Sequence, residues 1–102
     1  MIVHMVLLKV KKSVSAAKVK QVMESIGALD KAVPGIVAFS WGPYSSPEGL
    51  NKGFTHGFCS KFKDAKSRNT YLDHPEHGKV KLAVLSILDG GLDAVVAFDY
   101  AE

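Results

Sequence analysis

Arginine and cysteine are almost absent from this chain of 102 residues, which holds one of each, Arg68 and Cys59. A single thiol excludes an intrachain disulfide and any metal or redox site built on paired cysteines, and it fits a reducing compartment. Arginine is the residue that best reads bases and clamps phosphates, so its scarcity argues against a nucleic-acid-binding protein. The net charge of +3 comes from lysines, which we interpret as a solvated surface.

Long apolar segments are missing as well. No stretch approaches the roughly 20 residues that a membrane-spanning helix needs, and the apolar start is interrupted by His4 and Lys9. We therefore expect no signal peptide, no membrane partner and a cytoplasmic location. With 47% hydrophobic and 23% charged residues, the sequence is typical of a folded chain and predicts a single domain over residues 1–102.

What is present is a regular succession of strand and helix patterns. Four segments alternate or are rich in β-branched and aromatic residues, as β-strands are: 2–10, 36–41, 54–62 and 92–100. Three segments favour helices: 16–33, a short one from Asp64 to about Leu72, and one from Pro75 to the stop at 89–91. The order β-α-β-β-α-β, with the second helical part broken at Pro75, predicts the α+β class and a ferredoxin-like protomer with an antiparallel sheet.

The predicted sheet is apolar on both faces. In this topology the first and third strands lie side by side in the middle of the sheet, and we assign His4 and His56 on them to the face that the helices cover. The other face is predicted to hold further apolar residues: Val3, Met5 and Leu7, then Val95 and Ala97, with Phe39 and Trp41 as additional candidates. A sheet with one solvated face should alternate apolar with polar residues, so we predict a homodimer that forms sheet to sheet.

The segment 42–53 is long for a connection between two strands, and prolines and glycines punctuate it. Long ordered loops often carry function. We predict a shaped loop that projects beyond the sheet and contacts the partner protomer, with Trp41 anchoring its base.

The segment Tyr71-Leu72-Asp73-His74-Pro75-Glu76-His77 concentrates groups that can move protons, with a phenol, two imidazoles and two carboxylates around one proline. Imidazole is the side chain whose ordinary pKa lies nearest neutrality, so histidines that converge with a tyrosine suit acid–base catalysis. The alternatives are structural: a histidine that caps the helix start, a tyrosine ring packed beneath the sheet, and hydrogen-bonded core histidines at positions 4 and 56. For His74 we favour the structural role, and we do not favour a zinc site built from the four histidines.

Several motifs, in order along nearly the whole chain, resemble the stress-responsive A/B-barrel domain family, also called Dabb. They are Val3-His4-Met5-Val6-Leu7-Leu8-Lys9, Pro34-Gly35-Ile36, Trp41-Gly42, Gly53-Phe54-Thr55-His56, the 71–77 segment and Phe98-Asp99-Tyr100. The resemblance implies a ferredoxin-like protomer that pairs sheet to sheet into a dimeric α/β barrel.

The resemblance extends to a plant polyketide cyclase of this family, which closes a linear polyketide by intramolecular aldol condensation. It implies that His77 is a general base, that Tyr71 polarises a substrate carbonyl, and that His4 and His56 contact substrate, with no metal or organic cofactor. Two functions stay open: an enzyme or binder for a small, largely apolar carbonyl compound, and a non-catalytic stress-response or defence protein whose dimer is the working unit. A cavity beside Tyr71 and the histidines would favour the first, and bulky side chains filling that space would favour the second.

Overall fold

The computed structural model describes all 102 residues, and its elements follow the predicted order. Four strands, β1 (Ile2–Leu8), β2 (Ile36–Pro43), β3 (His56–Phe62) and β4 (Val95–Ala101), form one antiparallel sheet in the order β2-β3-β1-β4. The helices are α1 (Ala16–Gly27), α2 (Ala65–Asp73) and α3 (Pro75–Ile87). The predicted ferredoxin-like α+β fold is confirmed, with β1 and β3 adjacent in the middle of the sheet. None of the helices combines the length and the apolar character needed to cross a bilayer.

Strands β1, β2 and β3 differ from their predicted bounds by two residues at one end. Two other boundaries differ because a short 3-10 helix takes part of the segment. The helix predicted over 16–33 is α-helical only to Gly27 and continues as a 3-10 helix over Ala28–Lys31. The strand predicted from residue 92 begins at Val95, because residues 91–94 form a 3-10 turn after the left-handed Gly90.

Side chains of the expected types begin the three helices. The Ser15 hydroxyl accepts a hydrogen bond from the Lys18 amide in α1, and the Asp64 carboxylate accepts one from the Ser67 amide in α2. In α3 the cap is His74, whose Nδ1 accepts from the Glu76 amide. The structural role favoured for His74 is therefore confirmed, and its partner is a backbone amide.

The core lies between the helices and one face of the sheet, here called the helix-covered face. The larger cluster joins residues of β1, α1 and α3, among them Val6, Leu8, Val22, Met23, Ile26 and Ile87. The smaller cluster is Leu29, Val33, Phe62 and Tyr71. Tyr71 thus packs its ring beneath the sheet, as one of the structural alternatives proposed.

The strand register corrects the predicted face of several residues. Val95 and Ala97 lie opposite Leu8 and Val6, so they belong to the helix-covered face and the prediction that placed them outside is wrong. Successive residues of β4 are apolar, so its sequence could not show which set faces the helices. Phe39 and Trp41 were also misassigned, because they lie opposite Ser60 and Phe58 on β3 and pack against the larger core cluster.

The opposite side of the sheet is apolar and has no covering layer. We call it the outer face; its exposed large residues are Met5, Leu7, Val96, Phe98 and Tyr100. Phe98 leaves 63% of its surface exposed. A contiguous apolar patch of this kind usually marks an interaction surface.

A glycine allows the turn before β2 to lie close to the start of α2. Gly35 has φ 92°, and a β-carbon at this position would collide with the side chain of buried Ser67. Glycine therefore supplies both the left-handed backbone and the space that α2 needs to sit this close.

Candidate functional site

A cavity of about 200 Å³ lies between the helix-covered face and the helices. Twelve of its fifteen lining residues are hydrophobic, and its polar groups belong to His4, Tyr71, His77 and Lys81. An apolar hollow with a few converging polar groups is the usual form of a small-molecule site. Its volume is below the roughly 300–1,000 Å³ typical of drug-sized ligands, so a matching ligand would be small or would project from the opening.

Tyr71 and His77 stand side by side on the wall of this cavity. The break at Pro75 ends α2 after Tyr71 and starts α3 before His77, and the two ring centroids come within 4.6 Å. Every side-chain nitrogen or oxygen that is sealed from solvent has a hydrogen-bond partner. The Tyr71 hydroxyl has no such partner, so it is not sealed from solvent, and Tyr71 is one of the residues that line the cavity.

The surroundings give these two side chains complementary proton chemistry. Burial raises the pKa of Tyr71 to about 12, so the phenol stays protonated near neutral pH and acts as a hydrogen-bond donor. Burial lowers the pKa of His77, and the Lys81 ammonium and a protonated His4 lower it further, against a weaker opposite effect of the Leu72 backbone. A neutral imidazole is able to accept a proton.

His4 reaches the cavity from the middle of the sheet. It is 7% exposed, and its ring centroid lies 6.1 Å from that of Tyr71. Its Nδ1 is 2.6 Å from Oδ1 of Asp99, the residue directly opposite on β4. Oδ2 of Asp99 lies 3.1 Å from Nη1 of Arg68 on α2. The histidine is therefore held by a network of three residues from three elements.

The structure does not bring His56 to the cavity. His56 shares the helix-covered face, but it lies opposite Leu8, whereas His4 lies opposite Ser60. Four residues along a strand at about 3.3 Å each separate the two histidines by roughly 13 Å. The His56 Nδ1 instead pairs with the Thr55 hydroxyl at 2.8 Å, and burial lowers the pKa of its ring. Of the four residues predicted to converge, His4, Tyr71 and His77 meet here and His56 does not.

Three residues of the site were not predicted as site residues from the sequence: Arg68, Asp99 and Lys81. The sequence could have indicated Asp99 as a site residue, because it is the one charged residue inside the apolar strand β4. Lys81 lies one turn after His77 on α3, lines the cavity and takes part in no ion pair. No group of three or more His, Cys, Asp or Glu side chains is arranged to hold a metal ion.

These features define an α+β protein with a ferredoxin-like fold, a polar-tipped apolar cavity on one face of its sheet and an uncovered apolar surface on the other. The chain belongs to the stress responsive A/B barrel domain family (Dabb), whose sequence profile matches residues 2–102. The resemblance seen in its motifs is confirmed.

Solved structures of similar proteins agree with this assignment. A crystal structure of an Arabidopsis thaliana protein has a TM-score of 0.90 and 29% identity, over 100% of this chain and 95% of the other. A dimeric ferredoxin-like protein of unknown function from Jannaschia sp. CCS1 has a TM-score of 0.88 and 22% identity, over 99% and 98%. The hydroxynitrile lyase from Passiflora edulis has a TM-score of 0.84 and 21% identity, over 97% and 90%. No curated protein sequence matches the chain significantly.

Proposed function

We propose that the protein binds a small, largely apolar carbonyl compound in this cavity and moves protons on it, in the manner of a polyketide cyclase that needs no cofactor. The observation that carries the proposal is the pairing of a buried phenol with a neutral imidazole, Tyr71 and His77. Their ring centroids lie 4.6 Å apart on a largely apolar wall. One group donates a hydrogen bond and the other accepts a proton, which are the two functions that enolate formation requires.

The reaction that fits these groups is an aldol-type ring closure. His77 takes a proton from a carbon next to a carbonyl, while the Tyr71 hydroxyl donates a hydrogen bond to the carbonyl oxygen on which negative charge develops. The enolate carbon then attacks a second carbonyl carbon of the same molecule and forms the ring bond. The proton held by His77 passes to the new alkoxide, so no oxidant, reductant or metal is consumed.

The family supports the proposal at the level of the scaffold. The Passiflora edulis relative is a hydroxynitrile lyase, so a chain of this fold can carry an enzyme's active site. The residues of the cavity, and not that likeness, are the reason for naming a carbonyl compound as ligand.

The direct test is a panel of linear polyketide thioesters and simpler apolar ketones offered to the protein. Binding is followed by NMR shifts of His77 and neighbouring methyl groups, and product by mass spectrometry. We expect at least one compound to shift the cavity residues and to yield a cyclised product. Its mass should equal that of the substrate, or be lower by the mass of water or of the thiol. His56→Ala is the matched control, because His56 lies outside the cavity. If no compound shifts the cavity residues, or if His77→Ala leaves cyclisation unchanged, the proposal is wrong.

The uncovered outer face favours a second proposal, a homodimer that forms sheet to sheet. Met5, Leu7, Val96, Phe98 and Tyr100 present an apolar surface with no layer of the same chain to cover it. The relative from Jannaschia is described as dimeric. On the alternative function, the protein is a non-catalytic stress-response or defence protein and this dimer is its working unit. The contact of the 42–53 loop with the partner stays a prediction.

The two functions separate in one experiment. In a host whose stress tolerance depends on the protein, His77→Ala should abolish the effect if the cavity is responsible. A charge on the outer face that abolishes the effect while His77→Ala preserves it would support the alternative.

A further inference from the structure

The proposed ring closure makes no use of the network around His4. Nδ1 of His4 lies 2.6 Å from Oδ1 of Asp99, and Nη1 of Arg68 lies 3.1 Å from Oδ2 of the same carboxylate. The side chains of Arg68 and Asp99 are only 24% and 22% exposed. Each carboxylate oxygen therefore has its own partner in a partly buried setting.

Which of these groups can donate and which can accept a hydrogen bond determines the position of the hydrogen on the His4 ring. A guanidinium only donates hydrogen bonds, and an ionised carboxylate only accepts them. Because Arg68 occupies one oxygen of Asp99, the other oxygen accepts from His4, whose Nδ1 must carry the hydrogen. In a neutral imidazole with hydrogen on Nδ1, the free lone pair is on Nε2.

That lone pair is free for a ligand. His4 lines the cavity, and its Nε2 makes no hydrogen bond within the protein although no sealed polar atom lacks a partner.

We propose that Arg68, acting through Asp99, is a positioning residue that holds His4 in the Nδ1–H form and presents Nε2 to the ligand as a hydrogen-bond acceptor. The ligand class follows from this: the carbonyl compound also carries a hydroxyl or enol O–H that donates to His4. The ligand part rests on the proposed function, whereas the state of the His4 ring does not.

The variant Asp99→Asn tests whether Arg68 determines which nitrogen of His4 carries the hydrogen. Since Arg68 can only donate, it holds the amide oxygen of Asp99→Asn and leaves the amide NH₂ facing His4. The NH₂ group donates, so Nδ1 must become the acceptor and the hydrogen moves to Nε2. Adding Arg68→Met frees the amide to turn its oxygen to His4, which restores the Nδ1–H form.

The measurement is long-range ¹H–¹⁵N NMR of the histidine rings without ligand at about pH 8, where an ordinary imidazole is neutral. We expect Nδ1–H in the native protein, Nε2–H in Asp99→Asn, and Nδ1–H again in the double variant. Lys61→Met is the matched control, because it breaks the exposed pair between Lys61 and Glu102 and should leave His4 unchanged. The His56 ring is an internal reference that none of these variants should alter.

An Nε2–H form in the native protein would overturn the proposal, and so would an Asp99→Asn variant that keeps Nδ1–H. If Asp99→Asn does not fold, the native spectrum alone still decides whether His4 carries its hydrogen on Nδ1. Once a ligand is in hand, Asp99→Asn should weaken a hydroxyl-bearing ligand roughly two- to tenfold, the value of one hydrogen bond, and leave its O-methyl analogue unaffected. Equal weakening of both would refute the ligand class, and failure of every carbonyl compound to bind would refute the proposed function while leaving the ring state established.

Discussion

The two faces of this sheet combine burial and polarity in opposite ways. On the helix-covered face His4 is 7% exposed and bound to Asp99, whereas on the outer face Phe98 is 63% exposed with no cover. A polar group is buried at acceptable cost only where its hydrogen bonds are made. The first face satisfies that condition within one chain, and the second exposes apolar surface that requires another molecule.

Strand β4 shows how closely the two environments lie. Phe98 and Tyr100 point outward, and Asp99 between them points inward to His4. Because side chains alternate along a strand, four short strands supply both a candidate site and a candidate interface. If this division is correct, substitutions on the helix-covered face should change activity and leave dimerisation intact. Substitutions on the outer face should change dimerisation before activity.

The largest expected effect is on the chemical side. His77→Ala should lower turnover of a cyclisable substrate roughly 10²–10⁴-fold, the usual effect of losing a positioned base. Light scattering of the same variant should give an unchanged mass, since His77 lies on the helix layer. A change of mass would contradict the division between the faces.

Tyr71→Phe should come next, with a fall in turnover of roughly 10²–10³-fold, as when one donor to a developing oxyanion is removed. The fall should appear in kcat more than in KM, because the hydrogen bond strengthens in the transition state. Tyr71→Ala would in addition destabilise the fold by about 3–5 kcal/mol, because the ring belongs to the smaller core cluster. Equal denaturation midpoints for the two variants would show that the ring has no packing role.

On the outer face, Leu7→Lys should weaken dimerisation about a hundredfold, because an unpaired charge would be buried in an interface expected to cover on the order of 2,000 Å². Sedimentation velocity across a dilution series measures the change. Leu82→Lys is the matched control: Leu82 is a more exposed leucine on α3, outside the outer face. A native protein that is monomeric at micromolar concentration would remove the basis of the prediction.

The smallest expected effect is on stability in acid. The pKa values of His77 and His56 are lowered by burial, so each histidine binds its proton more readily in the unfolded chain. Stability should therefore decline as pH falls below the ordinary value of 6.5 and continue to decline down to the lowered values. Thermal melts at stepwise pH should show a shallower decline for His77→Gln. A decline that is unchanged in this variant would place the effect elsewhere.

The sequence predicted the topology well because local patterns set each element. Asp64 and Pro75 mark helix starts in the chain and begin helices in the structure. The convergence of Tyr71 with His77 was also predictable, since they lie only six positions apart in the chain, with one helix break at Pro75 between them.

Other features depend on registration between strands, which a single sequence does not specify. His4 and His56 were correctly placed on one face, but the distance between them follows from pairing of Leu8 with His56 and of His4 with Ser60. The inward direction of Asp99 was hidden for a related reason, because apolar residues on both faces of β4 conceal its alternation.

Gly35 extends the influence of the site to a turn that does not touch the cavity. It allows α2 to sit against the turn, and α2 carries both Arg68 and Tyr71. A larger residue at this position would push the helix outward and displace both groups together, while every residue lining the cavity kept its identity. In a random mutagenesis screen, Gly35 would therefore score as a loss-of-function position, and it would enter a list of functional residues without ever contacting a ligand.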